Sequence, residues 1–174
     1  MLEEILGAIW FIFPSYVGNA AATLGGGRPL DFGRYFPDGR RILGDGKTFR
    51  GFGLGVLGGT FTGALQHYLG SYPNYPYALK LGLLLGFGAL FGDALESFLK
   101  RRLGKERGTP FPPFDQLDLV VGALLLYYTL GRKILSPFTK LEISSVLILV
   151  VLTPLIHLGT NFVSYKLGGK DVWW

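Results

Sequence analysis

The chain has 174 residues, 49% of them apolar, 27 glycines, no cysteine and a formal net charge of +5. That length suggests one domain over 1–174, and the missing cysteines exclude disulfides and thiolate metal sites. The positive charge suits anionic lipid or phosphate, and the absence of an aromatic-interleaved basic module argues against nucleic acid. An apolar fraction near one half is common in soluble domains too, so distribution decides the class. Charge is nearly absent from several runs long enough to cross ~30 Å of hydrocarbon.

Five spanning helices are expected. The first covers about 5–24; its acidic start, Glu3-Glu4, is unlike a secretory signal and reads as a retained helix. The second covers 49–69 and is rich in glycine. The third covers 77–99, with Asp93 and Glu96 near its end. The fourth covers about 115–130, short for a span. The fifth covers 141–166 and includes Pro154, His157 and Asn161. Helices are the expected spanning form because backbone polar groups in lipid need internal partners, and the runs lack the alternation of a barrel. The fold class is therefore an all-α integral membrane helical bundle with two basic loops.

Orientation follows from lysine and arginine. The loop after the first helix, the loop after the third and the tail together carry 13 of them, against 4 on the other side. The basic side is expected to be cytoplasmic. With five spans the start of the chain then lies outside and the tail inside, a multi-pass arrangement in the cell membrane.

Asp93 and Glu96 are three residues apart, so a helix puts them on one face. Asp115 and Asp118 repeat that spacing at the start of the next helix. Antiparallel neighbours bring both pairs to one depth, where ionisable groups should face protein or a water-filled cavity. Three readings fit four such carboxylates. Lys100, Arg101 and Arg102 form ion pairs with them; Asp115 and Asp118 favour a helix start through the dipole; or one or two Mg²⁺ ions bind, since hard cations take oxygen ligands. The doubled spacing favours metal. In the first loop, Gly44-Asp45-Gly46-Lys47-Thr48-Phe49-Arg50-Gly51 lacks the first glycine of a Walker A motif, which falls at Arg41. A lysine and flexible glycines at a helix start still suit an anion. Asn19 and Asn161 read as interhelical hydrogen-bonding groups that fall near the same depth. His157 reads as a packing residue.

The run Gly92-Asp93-Ala94-Leu95-Glu96-Ser97-Phe98-Leu99-Lys100-Arg101, followed by Lys105-Glu106, Pro112-Pro113 and Asp115-Gln116-Leu117-Asp118, resembles the signature of CTP-dependent lipid cytidylyltransferases. Lys47-Thr48-Phe49-Arg50-Gly51 resembles a second element of these enzymes. Short length and the proline-rich turn resemble the archaeal CDP-archaeol synthase family most. Against the related CDP-diacylglycerol synthases, Phe111-Pro112-Pro113-Phe114 replaces a His-Gly-Gly turn, Glu106 an aspartate and Gln116 an arginine. The resemblance implies that CTP and 2,3-bis-O-(geranylgeranyl)-sn-glycerol 1-phosphate, an isoprenoid ether-lipid phosphate, give CDP-archaeol and pyrophosphate. It further implies catalytic roles for Asp93, Asp118 and Lys47, and Mg²⁺, at two sites, on Asp93, Glu96, Asp115 and Asp118. Nucleotide contacts would come from Lys47, Thr48, Arg50, Lys100, Arg101, Asn19 and Asn161. Two rivals are a polytopic cation transporter, disfavoured by the scarcity of polar residues in the outer halves of the spans, and a lipid-binding membrane protein, which would tolerate neutral carboxylate replacements.

Overall fold

A computed structural model describes residues 1–72, 74–106, 108–138 and 140–166, leaving aside the side chains of Asn161, Val163 and Ser164. The described elements are helical, in the order α1 (Leu2–Ala22), α2 (Phe49–Tyr68), α3 (Tyr75–Arg102), α4 (Phe114–Leu126), a π-helical stretch (Tyr127–Gly131), α5 (Arg132–Ile134) and α6 (Ile143–Lys166). Outside them, two isolated bridges, Pro29–Thr48 and Tyr35–Arg41, pin the first long loop.

Three described helices are long and apolar enough to cross a membrane: Leu2–Ala22, Tyr75–Arg102 and the Ile143–Thr160 part of α6. At 28 residues, α3 reaches ~42 Å at 1.5 Å per residue, more than the hydrocarbon core is thick. Its last turn, Lys100–Arg102, can therefore leave the apolar layer. α3 starts where Asn74 caps it, accepting from the Tyr77 amide at 2.7 Å, with Pro76 in its first turn. Thr48 does the same for α2, accepting from the Gly51 amide at 3.0 Å.

The fourth helical run is longer than its sequence suggests. The 13 residues of α4 pass without a break into the 5-residue π stretch and then α5. A π turn widens the helix locally, and Tyr127, at its start, is 2% exposed.

The central helix is α3, packed against α1, α2 and α4. Glycine makes this possible. Gly55, Gly59 and Gly63 recur every fourth residue along one stripe of α2; a Cβ on Gly59 would lie 2.7 Å from the Gly86 Cα of α3, and one on Gly55 would lie 2.7 Å from the Gly18 oxygen of α1. Helices without side chains between them gain dispersion contacts that lipid cannot match, since apolar burial alone does not drive association in a bilayer. Buried polar groups add direction: Ser15 donates to the Leu85 carbonyl at 3.0 Å, Gln66 to the Trp10 carbonyl at 2.6 Å, and Tyr16 pairs with Thr153 at 2.7 Å.

Candidate active site

The carboxylates converge because α3 and α4 touch backbone to backbone at their polar ends. A Cβ on Gly92 would lie 3.0 Å from the Gly122 Cα. That contact aligns the turn carrying Asp93 and Glu96 with the turn carrying Asp118. Oxygens of Asp93, Glu96 and Asp118 all fall within 4.8 Å of one another, as their spacing leads one to expect. Hard cations favour such oxygen sets, so these three residues can hold one.

Asp115 adjoins this trio, its carboxyl in contact with that of Glu96 and sharing Lys100 with it. One of its oxygens binds the Lys100 ammonium and the other accepts from the Phe111 amide, so the turn of residues 111–114 claims it. Lys100 also lies 2.8 Å from Glu96 Oε1, one helical turn back. Lys47 reaches across from the first loop and places Nζ 2.6 Å from both oxygens of Asp93. Asp118 accepts from the Leu119 amide at 2.6 Å and has no ion pair among the described residues. The ion-pair and metal readings of the sequence thus describe the same side chains: lysines hold the carboxylates that a cation would use.

These groups line a cavity of about 620 Å³ whose wall includes Asn19, Lys47, Asp93, Glu96, Lys100, Arg101, Asp115 and Asp118. The size suits a ligand of nucleotide dimensions. The Arg101 Nε is buried without a hydrogen-bond partner among the described residues, a donor awaiting an acceptor. Two expected contacts lie elsewhere. Thr48 is buried with its hydroxyl engaged as the α2 cap, and Arg50 is exposed outside this wall. The Asn161 side chain lies outside the described residues. His157, expected only to pack, lines the cavity from α6, as does Gln116 from α4.

The first loop is shaped by a residue that sequence reasoning passed over. The Asp31 carboxylate is buried and accepts from the amides of Gly33 at 3.0 Å, Leu43 at 3.0 Å and Gly44 at 2.9 Å, and from Arg41 at 2.8 Å. Burial alone would raise its pKa; the Arg41 guanidinium and the three amides outweigh that and hold it well below the usual carboxylate range. Arg41, which also pairs with Asp45 at 2.7 Å, is raised in turn by both acids. Arg102 then ties the loop to α3. It donates to Asp38 and to the Arg41 carbonyl, each at 2.6 Å, and stacks 4.5 Å from the Phe36 ring and 5.1 Å from the Phe98 ring. Arg40 answers by donating to the Arg102 carbonyl at 2.6 Å. A Pro29-Leu30-Asp31-Phe32-Gly33 turn was the available hint, since aspartate two residues before glycine favours a side-chain-capped turn.

Comparisons with known proteins agree with one another. The family model described as CarS-like, CDP-archaeol synthase, matches residues 1–174. The CDP-archaeol synthase of Thermococcus onnurineus is 45% identical over 176 residues, covering 99% of each chain. That of Archaeoglobus fulgidus is 45% identical over 184 residues, covering 100% of each. A solved structure of an intramembrane enzyme for archaeal membrane lipids biosynthesis superposes with a TM-score of 0.80 at 37% identity, over 90% of this chain and 94% of that one.

Proposed function

Because the chain belongs to the CDP-archaeol synthase family, we propose that it transfers the cytidylyl group of CTP to an isoprenoid ether-lipid phosphate, making CDP-archaeol for membrane lipid synthesis. It is a membrane protein and an enzyme. The observation that carries the substrate reading is one cavity lined both by a three-carboxylate cluster and by Lys47, Lys100 and Arg101.

In this reaction a phosphate oxygen of the lipid forms a bond to the α-phosphorus of CTP, and the bond from that phosphorus to the β-phosphate oxygen breaks. Pyrophosphate leaves with the electron pair. The lipid phosphate is largely ionised near neutral pH, with a second pKa of ~6, so no general base is needed. Phosphoryl-group transfer depends mainly on placement and charge neutralisation. Arg101 and the lysines supply positive charge for the β- and γ-phosphates. Asn19, which lines the same cavity from α1, would contact the nucleotide.

Mg²⁺ on Asp93, Glu96 and Asp118 would neutralise charge on the phosphate oxygens. Two ions were expected from four carboxylates; the fourth, Asp115, is already committed to Lys100 and the Phe111 amide, which favours one protein-held ion. We propose five spans, with both basic loops and the cavity on the cytoplasmic side, where CTP is supplied, and the chain's start outside. The bias of 13 basic residues against 4 supports this orientation.

Purified protein given labelled CTP, Mg²⁺ and the unsaturated ether-lipid phosphate should transfer label to lipid. Asp93→Asn and Asp118→Asn should lower the rate by about 10²–10³. No lipid label from the unaltered chain, or undiminished label from both variants, would refute the proposal. Phosphatidate run alongside measures the tail preference, and a proteoliposome cation-flux measurement separates the transporter reading.

A further inference from the structure

We propose that Lys47 is an exchangeable counter-ion: it occupies Asp93 until a divalent cation arrives, and is then released to the phosphates of the nucleotide. The inference rests on the cation–nucleotide reading of the cavity given above.

Both oxygens of Asp93 lie 2.6 Å from the one Lys47 ammonium, and Asp93 belongs to the cluster whose oxygens fall within 4.8 Å of one another. A dication seated among those oxygens would face an ammonium at contact distance. At such range like charges repel strongly in a partly dehydrated cavity, so ion and ammonium cannot share Asp93.

The two lysines of the cluster are not equivalent. Lys100 serves two carboxylates, Glu96 and Asp115. It stands on the same helix as Glu96, one turn away, and its side chain is 13% exposed. Withdrawing it would strand two acids, one of them the buried Glu96. Lys47 serves one carboxylate, from a loop, and its side chain is 24% exposed. Its backbone is anchored, because the Leu30 amide donates to the Lys47 carbonyl at 2.7 Å and the next residue caps α2. Only the flexible four-carbon stem has to swing. The cavity into which it would swing is lined also by Gly44 and Gly46, which add no side-chain bulk, and by Arg101. Released there, the ammonium joins the cationic wall that faces the phosphates.

Binding of the cation and of the nucleotide is then coupled through one side chain. The cation alone must displace Lys47 into water; with a triphosphate present, the displaced ammonium gains an anionic partner. Coupling of this kind is reciprocal.

Titration of the full-length protein with Mn²⁺, followed by the loss of the free-ion paramagnetic resonance signal, tests this without turnover, with CTP added or omitted and no lipid phosphate. Lys47→Met and Lys47→Gln should bind Mn²⁺ about tenfold more tightly than the unaltered chain when CTP is absent, equivalent to ~1.4 kcal/mol. CTP should tighten Mn²⁺ binding in the unaltered chain and much less in these variants. Lys47→Arg should keep the weak affinity, and adding Asp93→Asn to Lys47→Met should cancel the gain. Equal or weaker Mn²⁺ binding by both neutral variants, at unaltered melting temperature, overturns the exchange while leaving the enzyme reading intact. Absence of Mn²⁺ binding from every variant and from the unaltered chain overturns both.

Discussion

Replacing Gly92 with alanine tests whether the site is set by helix contact. A Cβ there would lie 2.9 Å from the Asp118 carbonyl carbon and 3.0 Å from the Gly122 Cα, and nearer still to the Asp118 carbonyl oxygen. These are backbone atoms, so no rotamer change can relieve the clash. Restoring ordinary carbon–carbon separations of about 3.5–4.0 Å requires α4 to move off α3 by roughly 0.5–1 Å. Overpacking of this kind costs about 1–3 kcal/mol, and misplacing reacting groups by ~1 Å lowers rates by about 10². The same movement spreads the cluster of Asp93, Glu96 and Asp118 and should weaken Mn²⁺ binding. Gly53→Ala is the matched control, because a Cβ there meets nothing within 4 Å. Label transfer from CTP, Mn²⁺ titration and thermal melting should be measured on both variants. Full activity in Gly92→Ala, or an equal loss in Gly53→Ala, would refute the reasoning.

Asp31→Asn should destabilise the first loop by about 2–3 kcal/mol, because buried acceptors of charge-assisted bonds are costly to weaken, and should show as faster proteolysis between residues 24 and 47. Its depressed pKa also fixes a sign: the stabilisation from Asp31 is complete above its unfolded pKa of ~3.9 and is lost as pH falls through the lower folded value. Melting temperature against pH should therefore drop on the acid side below about pH 4 more steeply in the unaltered chain than in Asp31→Asn. Arg102→Ala should free the loop from α3 and raise the KM for CTP about tenfold, a loss of ~1.4 kcal/mol; Arg102→Lys should not restore it, since an ammonium cannot make the forked contacts to Asp38 and Arg41 or stack as a guanidinium does. Asp115→Asn should reduce label transfer less than Asp118→Asn does, and should leave Mn²⁺ affinity within about threefold, well under 1.4 kcal/mol.

Much of the bundle was legible because lipid imposes a simple rule: long uncharged runs must be helices. The runs at 5–24, 77–99 and 141–166 correspond to α1, α3 and α6. The three-residue spacing of Asp93 and Glu96 placed both on one face for the same geometric reason. What escaped was decided by which backbone group each side chain finds, near or far along the chain. Asp115 and Asp118 look alike in the chain, yet Asp115 is bound by Lys100 and the Phe111 amide while Asp118 is bound by neither. Thr48 adjoins the lysine that reaches the site, but its own hydroxyl closes a helix end. Asp31 lies in a loop of arginines, where an acid reads as a solvated surface charge. Its burial depends on amides 12 and 13 residues further on. The continuation of α4 into a π turn has no compositional mark, so the fourth span read as short.

The polar contacts divide into two systems with different origins. Glycine seams set the helices, and through them the carboxylates, with the Lys100–Asp115 ion pair joining α3 to α4. The loops are fixed by charges: Arg41 on Asp31, Arg102 on Asp38 and the loop backbone, Lys47 on Asp93. Helix packing therefore sets the carboxylate cluster together with Lys100 and Arg101 at the end of α3, whereas Lys47 is brought to the cavity by the first loop. Gly92 and Lys47 stand for the two systems. One acts because it has no side chain, and the other because its side chain is long enough to move.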